Sequence, residues 1–264
     1  LCLNSNLESI AKANEICYHY GMDTISVGNV IAFSMECFEK KIIDMGDTGG
    51  LDLRWGNHEA LVETVLKIAR KEGFGGTLSE GVREVGRRIG EGSERFACHV
   101  KGLEVPMHTC QNKKDLQLSY ATSNRGACHL ADPNKPVKEL GIKRGGVLWG
   151  GKITDTIEGV PEEVVKRQNL GAVIDSLGVC KSLFWYDPIS VTIIADALQA
   201  IAGWDISIEV LLETGGRIYN LERRFLTREG ITKKDDTLPE RFFEPFPEGP
   251  CKGMRVVEEE LDQM

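Results

Sequence analysis

Ala121-Thr122-Ser123-Asn124-Arg125-Gly126-Ala127-Cys128-His129 is the stretch on which the reading of this chain turns. It has too little apolar periodicity for a plain core helix, and it sets Arg125 and His129 four residues apart. Carried on a helix, that spacing predicts both side chains on one face. There Arg125 can clamp an anionic group with its planar guanidinium while His129 handles protons near neutral pH. Farther along comes Asp175-Ser176-Leu177-Gly178-Val179-Cys180, which joins a carboxylate, a backbone-exposing glycine and a thiol in one short segment. Together the two segments predict one wall of a buried, anionic, metal-containing cofactor site.

Around them the apolar pattern is helical. Between Leu7 and Tyr20 the residues Leu7, Ile10, Cys17 and Tyr20 fit one face, with Gly21 as a left-handed stop. Val30, Ile31, Met35 and Phe38 repeat the pattern over residues 26–40. Asn57 predicts an N-cap for a helix over 60–71, with Leu61, Val62, Val65 and Ile68 inward and Gly73 closing it. The next helix starts at Thr77 or Ser79 and carries Val82, Val85 and Ile89 up to Gly90. Pro161 suits the first turn of a helix that turns Val164, Val165, Leu170, Val173, Ile174 and Leu177 inward. Helices over 189–202 and 207–229 follow, the second with Ile208, Leu211, Leu212, Ile218, Leu221 and Phe225 on its inner face. Near 95–106 the period changes to alternation, which reads as a short strand or extended connector. A domain boundary is placed there, giving units 1–100 and 101–264. Residues 133–159 read as a long surface loop or lid, and 237–250 as an extended tail over the surface. The expected fold is all-α, mostly helical, in two helical domains.

A chain of 264 residues can bury a substantial core, and 41% hydrophobic with 27% charged residues is an ordinary soluble composition. A net charge of -8 argues against nucleic acid as a partner. No apolar run is long enough to span a membrane. The first residues lack the basic and apolar regions of a signal peptide, and Leu1 in place of Met makes the chain read as a piece of something longer. Eight cysteines without any CxxC pair read as reduced thiols in a cytoplasmic protein, most of them small buried hydrophobes.

Several separated motifs resemble the aldehyde:ferredoxin oxidoreductase family, a group of tungsten or molybdenum bis-pterin enzymes with one 4Fe-4S cluster. They are Gly21-Met22-Asp23-Thr24-Ile25-Ser26, Lys101-Gly102-Leu103-Glu104-Val105-Pro106, Ala121 to Leu130, Asp175 to Cys180, Trp204-Asp205, Leu221-Glu222-Arg223 and Asp236-Thr237-Leu238-Pro239. In order and extent they correspond to the second and third, carboxy-terminal domains of that family. The resemblance implies that Asp175 accepts hydrogen bonds from pterin ring nitrogens, with Val179 and Lys181 lining the same site. It implies that Cys180 is the fourth cluster thiolate and that Asp23, Val27 and Gly28 form a looser first copy of the pterin motif, with Ser26 where the pattern has Gly. Without the family, Asp23 reads as the N-cap of the following helix. Asn124 and Arg125 take the family's cofactor-contact places, Arg125 suiting a pterin phosphate, and His129 takes that of the histidine beside the metal.

The implied activity is oxidation of an aldehyde to a carboxylic acid, with ferredoxin as electron acceptor. The amino-terminal pterin domain and the CxxCxxxC cluster motif are absent from these residues, so tungstopterin (or molybdopterin) and the cluster are expected to be incomplete or absent in this fragment. The missing amino-terminal part of the same enzyme is an implied partner, and a homodimer is one option for its assembly. Two alternatives stand beside this reading: a tungsten-dependent reductase subunit for a carboxylate or aromatic thioester, and a non-catalytic helical scaffold fragment. Thr109 to Leu118 departs from the family's usual Asp-Pro continuation, so substrate identity is not carried over.

Overall fold

The computed structural model describes residues 1–131, 133, 135–143, 156–185 and 190–262. Among these the fold is mostly helical, with one two-stranded hairpin, and it divides into two compact units. The first comprises Leu1–Met107 with Pro239–Arg241, the second His108–Leu238 with Phe242–Met264.

In the first unit, α1 (Leu7–Tyr20) starts at Asn6, whose side chain accepts from the Ser9 N–H, and ends at Gly21 with φ 66. Its covered side differs from the expected face: Ile16 and Cys17 are buried, whereas Leu7, Ile10 and Tyr20 are exposed. The helix packs on α3 (His58–Arg70), which Asn57 caps as expected. The left-handed residue that ends α3 is Lys71, φ 56, not Gly73. Gly73 instead opens a five-residue helix, α4 (Phe74–Leu78), so Thr77 lies inside a helix rather than starting one. α5 (Val82–Ile89) follows Gly81 and closes at Gly90, with Val82 and Val85 buried.

α2 (Thr24–Glu39) is the central helix of this core. Val27, Val30, Ile31, Phe33, Met35 and Cys37 are all buried, too many for a single stripe, as expected of a helix covered around most of its girth. Next, β1 (His99–Val100) and β2 (Leu103–Glu104) pair antiparallel, His99 opposite Glu104. Their two-residue turn, Lys101 and Gly102, has φ 53 and φ 91, the left-handed geometry of a tight hairpin. Arg241 belongs to this unit through a 2.5 Å bond to Glu36.

The second unit holds α6 (Lys114–Thr122), α7 (Val160–Ser176), α8 (Ser182–Trp185), α9 (Val191–Ala202), α10 (Ile208–Arg228) and α11 (Glu258–Leu261). α7 lies against α10 at a very close crossing: a Cβ on Gly215 would sit 2.0 Å from the Asn169 carbonyl oxygen. α6 is tied to α7 by a buried ion pair, Arg167 Nη1 to Asp115 Oδ2 at 3.0 Å. Leu170, Val173, Ile174, Phe184, Val191, Ile194 and Leu211 form the core. Val165, Leu177, Leu221 and Phe225, expected inside, are exposed. Of the expected loop over 133–159, residues 134 and 144–155 lie outside the described ones, as does the expected helix start at Ile189. Within it, Val137 and Ile142 form a bridge, and with Leu140 they are buried in the core rather than lying on the surface. The tail also departs from a plain extended path. Glu240–Phe243 makes a 3-10 turn that buries Phe242, and the 246–254 loop closes through bonds between Phe246 and Gly253 and Met254.

Candidate functional site

The segment that opened the sequence reading is not helical. α6 ends at Thr122 because Ser123 takes φ -54, ψ 132, and Gly126 has φ 101, a left-handed value that suits glycine. Arg125 and His129 are therefore placed by a turn and not by helical spacing. The turn is tied locally by the Arg125 N–H to Ser123 Oγ at 3.3 Å and the Gly126 N–H to the Ser123 carbonyl at 3.1 Å.

A second turn forms where α7 stops. Gly178 (φ 68) lets the chain reverse, and the Val179 N–H donates back to the Ile174 carbonyl at 3.3 Å. This carries Val179, Cys180, Lys181 and Ser182 past Asp175. A cavity of about 400 Å³ lies within the second unit between the two turns. Ser123, Asn124, Arg125, Leu130 and Ala131 line it from the first turn; Gln168, Ala172 and Asp175 from α7; Val179 to Ser182 from the second turn; Tyr219 and Glu222 from α10. The size is that of a pocket for a small organic ligand.

The charges on these walls differ in how they are held. Lys181 Nζ donates to the Leu130 carbonyl at 2.7 Å, the Ala131 carbonyl at 3.2 Å and Asp175 Oδ2 at 2.7 Å. All three ammonium hydrogens thus have acceptors. Asp175 itself is mostly exposed. The exposed Arg125 guanidinium makes no hydrogen bond or ion pair among the described residues. Beside it, Asn124 Nδ2 is bonded, but Asn124 Oδ1 is buried with no donor. The Cys180 thiol is exposed, and hydrogen bonds from the Ser182 hydroxyl and then its backbone N–H push its pKa down by favouring the thiolate.

Of the expected site residues, Asn124, Arg125, Asp175, Val179, Cys180 and Lys181 line this one cavity. His129 is not among its lining residues. Its ring lies 5.1 Å from that of His108, whose pKa is pushed down mainly by burial and further by Lys113. Asp23, Val27 and Gly28 belong to the first unit. Asp23 Oδ1 accepts from the Ser26 N–H at 2.8 Å as the N-cap of α2, and Val27 is buried. The Gly28 carbonyl accepts from Cys2 Sγ at 3.5 Å. Sequence reasoning did not assign Gln168, Tyr219 or Glu222 to the site. Glu222 stands in a motif already noted, whereas Gln168 and Tyr219 arrive only through helix packing. Among the described residues, no three His, Cys, Asp or Glu side chains group as a metal site.

A mostly helical framework whose two turns wall a ligand-sized cavity of mixed polar and apolar lining defines the class, a helical protein with a built small-molecule pocket. Residues 1–264 match the family model for aldehyde ferredoxin oxidoreductase, domains 2 and 3, and the chain belongs to that family. It is 37% identical over 260 residues to the tungsten-containing aldehyde ferredoxin oxidoreductase of Pyrococcus furiosus, covering 97% of this chain and 42% of that protein. The aliphatic sulfonate oxidoreductase, WOR-like subunit, of the same organism is 30% identical over 266 residues, covering 96% of this chain and 38% of that one. A solved structure, the active site complex BamBC of benzoyl coenzyme A reductase with 1,5-dienoyl-CoA, shares the fold. Its TM-score is 0.77 at 21% identity, over 98% of this chain and 42% of that one. The chain therefore spans less than half the length of these relatives. No helix among the described residues is long and apolar enough to cross a membrane.

Proposed function

We propose that this chain forms part of a tungsten (or molybdenum) pterin oxidoreductase that oxidises aldehydes to carboxylic acids, with ferredoxin as acceptor. The observation that carries the reading is the pairing, at one cavity wall, of an unmet acceptor and an unmet bidentate donor. Asn124 Oδ1 is buried without a donor, and the neighbouring Arg125 guanidinium is unengaged. A pterin bears ring N–H groups and an anionic phosphate, so it supplies what both atoms lack. The cavity thus fits part of such a group. Identity of 37% to a tungsten aldehyde enzyme across nearly the whole chain favours the aldehyde reaction.

When bound, the metal pterin would supply two-electron redox chemistry and a 4Fe-4S cluster one-electron transfer. In this reading Arg125 binds the phosphate and Asp175, with one carboxylate oxygen on Lys181, accepts ring N–H groups with the other. Val179 lines the same wall, and Lys181 holds the 130–131 backbone in place. The looser contact assigned to Asp23, Val27 and Gly28 belongs to the first unit and is separate from the lining of this cavity. The Cys180 thiolate is the cluster ligand contributed by this chain. His129, beside His108 and outside the cavity lining, is the residue that handles the proton in this reading.

The test is the full-length protein. Tungsten and pterin should be present, and an aldehyde should reduce a viologen dye. Arg125→Ala should lower pterin content about tenfold, the scale of one lost charge-assisted contact. Absence of pterin and tungsten from the native protein would overturn the reading.

A further inference from the structure

Asn124 is anchored entirely on α10. Its Nδ2 donates to the Tyr219 backbone carbonyl at 2.9 Å and to Glu222 Oε2 at 3.2 Å, partners 95 and 98 positions away. The same helix reaches back through Tyr219 Oη, which donates to the Thr122 carbonyl at 3.0 Å, at the last residue of α6. An amide with both hydrogens bonded in different directions has its plane fixed. The direction of Asn124 Oδ1 and the course of the peptide leading to Arg125 are then fixed too. The turn itself, with Gly126 at φ 101, has its own local bonds through Ser123, but these tie the backbone and leave the Asn124 side chain to α10.

Glu222 also lines the cavity, yet its carboxylate pairs with Asn124 and forms no ion pair with Arg125. A carboxylate beside an unengaged guanidinium ordinarily pairs with it. Here the carboxylate is on the neighbouring residue, and the guanidinium stays available. We infer that Glu222 is a positioning residue: acting through the Asn124 amide, its carboxylate holds the Asn124–Arg125 turn so that Arg125 can meet an anionic group in the cavity. This rests on the cofactor reading above for the identity of that group, though not for the hold on the turn.

The experiment compares Glu222→Ala, Glu222→Gln and, as a same-charge control on an exposed part of α10, Glu213→Ala in the full-length protein. Glu222 is exposed, so truncation leaves the packing of α10 intact. Two quantities are read: pterin per protein, from the fluorescence of its oxidised derivative, and amide hydrogen exchange over residues 123–131. Glu222→Ala should lower pterin about fivefold and speed exchange over the turn. Glu222→Gln keeps a side-chain oxygen that accepts from Asn124, and it should stay near wild type in both, as should Glu213→Ala. Wild-type behaviour of Glu222→Ala overturns the inference. So does an equal loss in Glu222→Gln, which would make charge and not the hydrogen bond the cause. Faster exchange with unchanged pterin overturns it as well. If the wild type carries no pterin, the cofactor reading falls by itself and the exchange measurement still decides whether Glu222 holds the turn.

Discussion

Lys181 shows how one side chain can close a site. Its ammonium group is nearly buried and bridges the Leu130 and Ala131 carbonyls to Asp175. The ion pair contributes little, because Asp175 is mostly in solvent and screened. The carbonyls matter more: a Lys181→Met variant keeps the aliphatic stem and leaves them without a donor. It should cost about 1 kcal/mol in urea denaturation, the scale of hydrogen bonds lost from half-buried acceptors. Loss within a few tenths would show that water replaces the ammonium. A second residue gives a pH dependence. His99 Nδ1 accepts from the Gly102 N–H at 3.3 Å, and burial, followed by Arg83, holds the ring below its ordinary pKa of 6.5 against the opposing pull of Glu104. With the folded value depressed, the unfolded chain takes up the proton first. The stabilisation is therefore complete above pH 6.5 and declines as pH falls below it towards the folded value. Calorimetry should find a smaller loss of stability between pH 7 and 5.5 for His99→Gln than for wild type. An unchanged slope would remove His99 as its source. At this scale the motifs in the sequence marked the residues of the cavity wall, Asn124, Arg125, Asp175 and Cys180 among them. They could not mark Gln168 or Tyr219, whose places depend on which helix packs beside which.

Some helix ends were legible where helix faces were not. Gly21 ends α1 and Asn57 caps α3 because a left-handed glycine and a side-chain cap are local chemistry, whereas Gly73 opens α4 instead of closing α3. The covered face was not legible: Leu7, Ile10 and Tyr20 form as apolar a stripe as Ile16 and Cys17, and only the partner helix decides which is buried. The Arg125–His129 spacing failed for a related reason, since the four-residue rule presupposes a helix that Ser123 and Gly126 end. The α7–α10 crossing is another feature that no single segment announces. Two glycines, Gly215 and Gly216, face Asn169, but with different tolerance. A Cβ at Gly215 meets backbone at 2.0 Å and can be accommodated only by moving α10. At Gly216 it meets the Asn169 Nδ2 at 3.2 Å, and a side chain can turn aside. Gly215→Ala should therefore cost about 1–3 kcal/mol by overpacking, despite alanine's better helix propensity. Gly216→Ala should be close to neutral. Equal effects in denaturant melts would mean that the crossing is looser than its geometry.

For the molecule as a whole, each unit has its own apolar core, and the return of Pro239–Arg241 to the first unit is tied by Arg241 to Glu36, 205 positions away. Sequence periodicity has no access to a contact of that separation. The distribution of thiols raises the last question, how much of a redox centre this chain can assemble unaided. A cubane cluster needs four thiolates. Cys180 is exposed and its thiolate is favoured, whereas Cys2, Cys17, Cys37, Cys110 and Cys128 are buried and Cys98 and Cys251 are half-buried. Burial pushes Cys2 up to about 11 and Cys37 up to about 12, which opposes the thiolate form that binds iron. The 264-residue chain purified by itself and offered iron and sulfide should therefore stay colourless, with well under one cluster per chain. Iron, sulfide and tungsten analysis reads this directly. Stoichiometric metal would mean that thiols now buried open to meet Cys180, and that this chain builds its own centre.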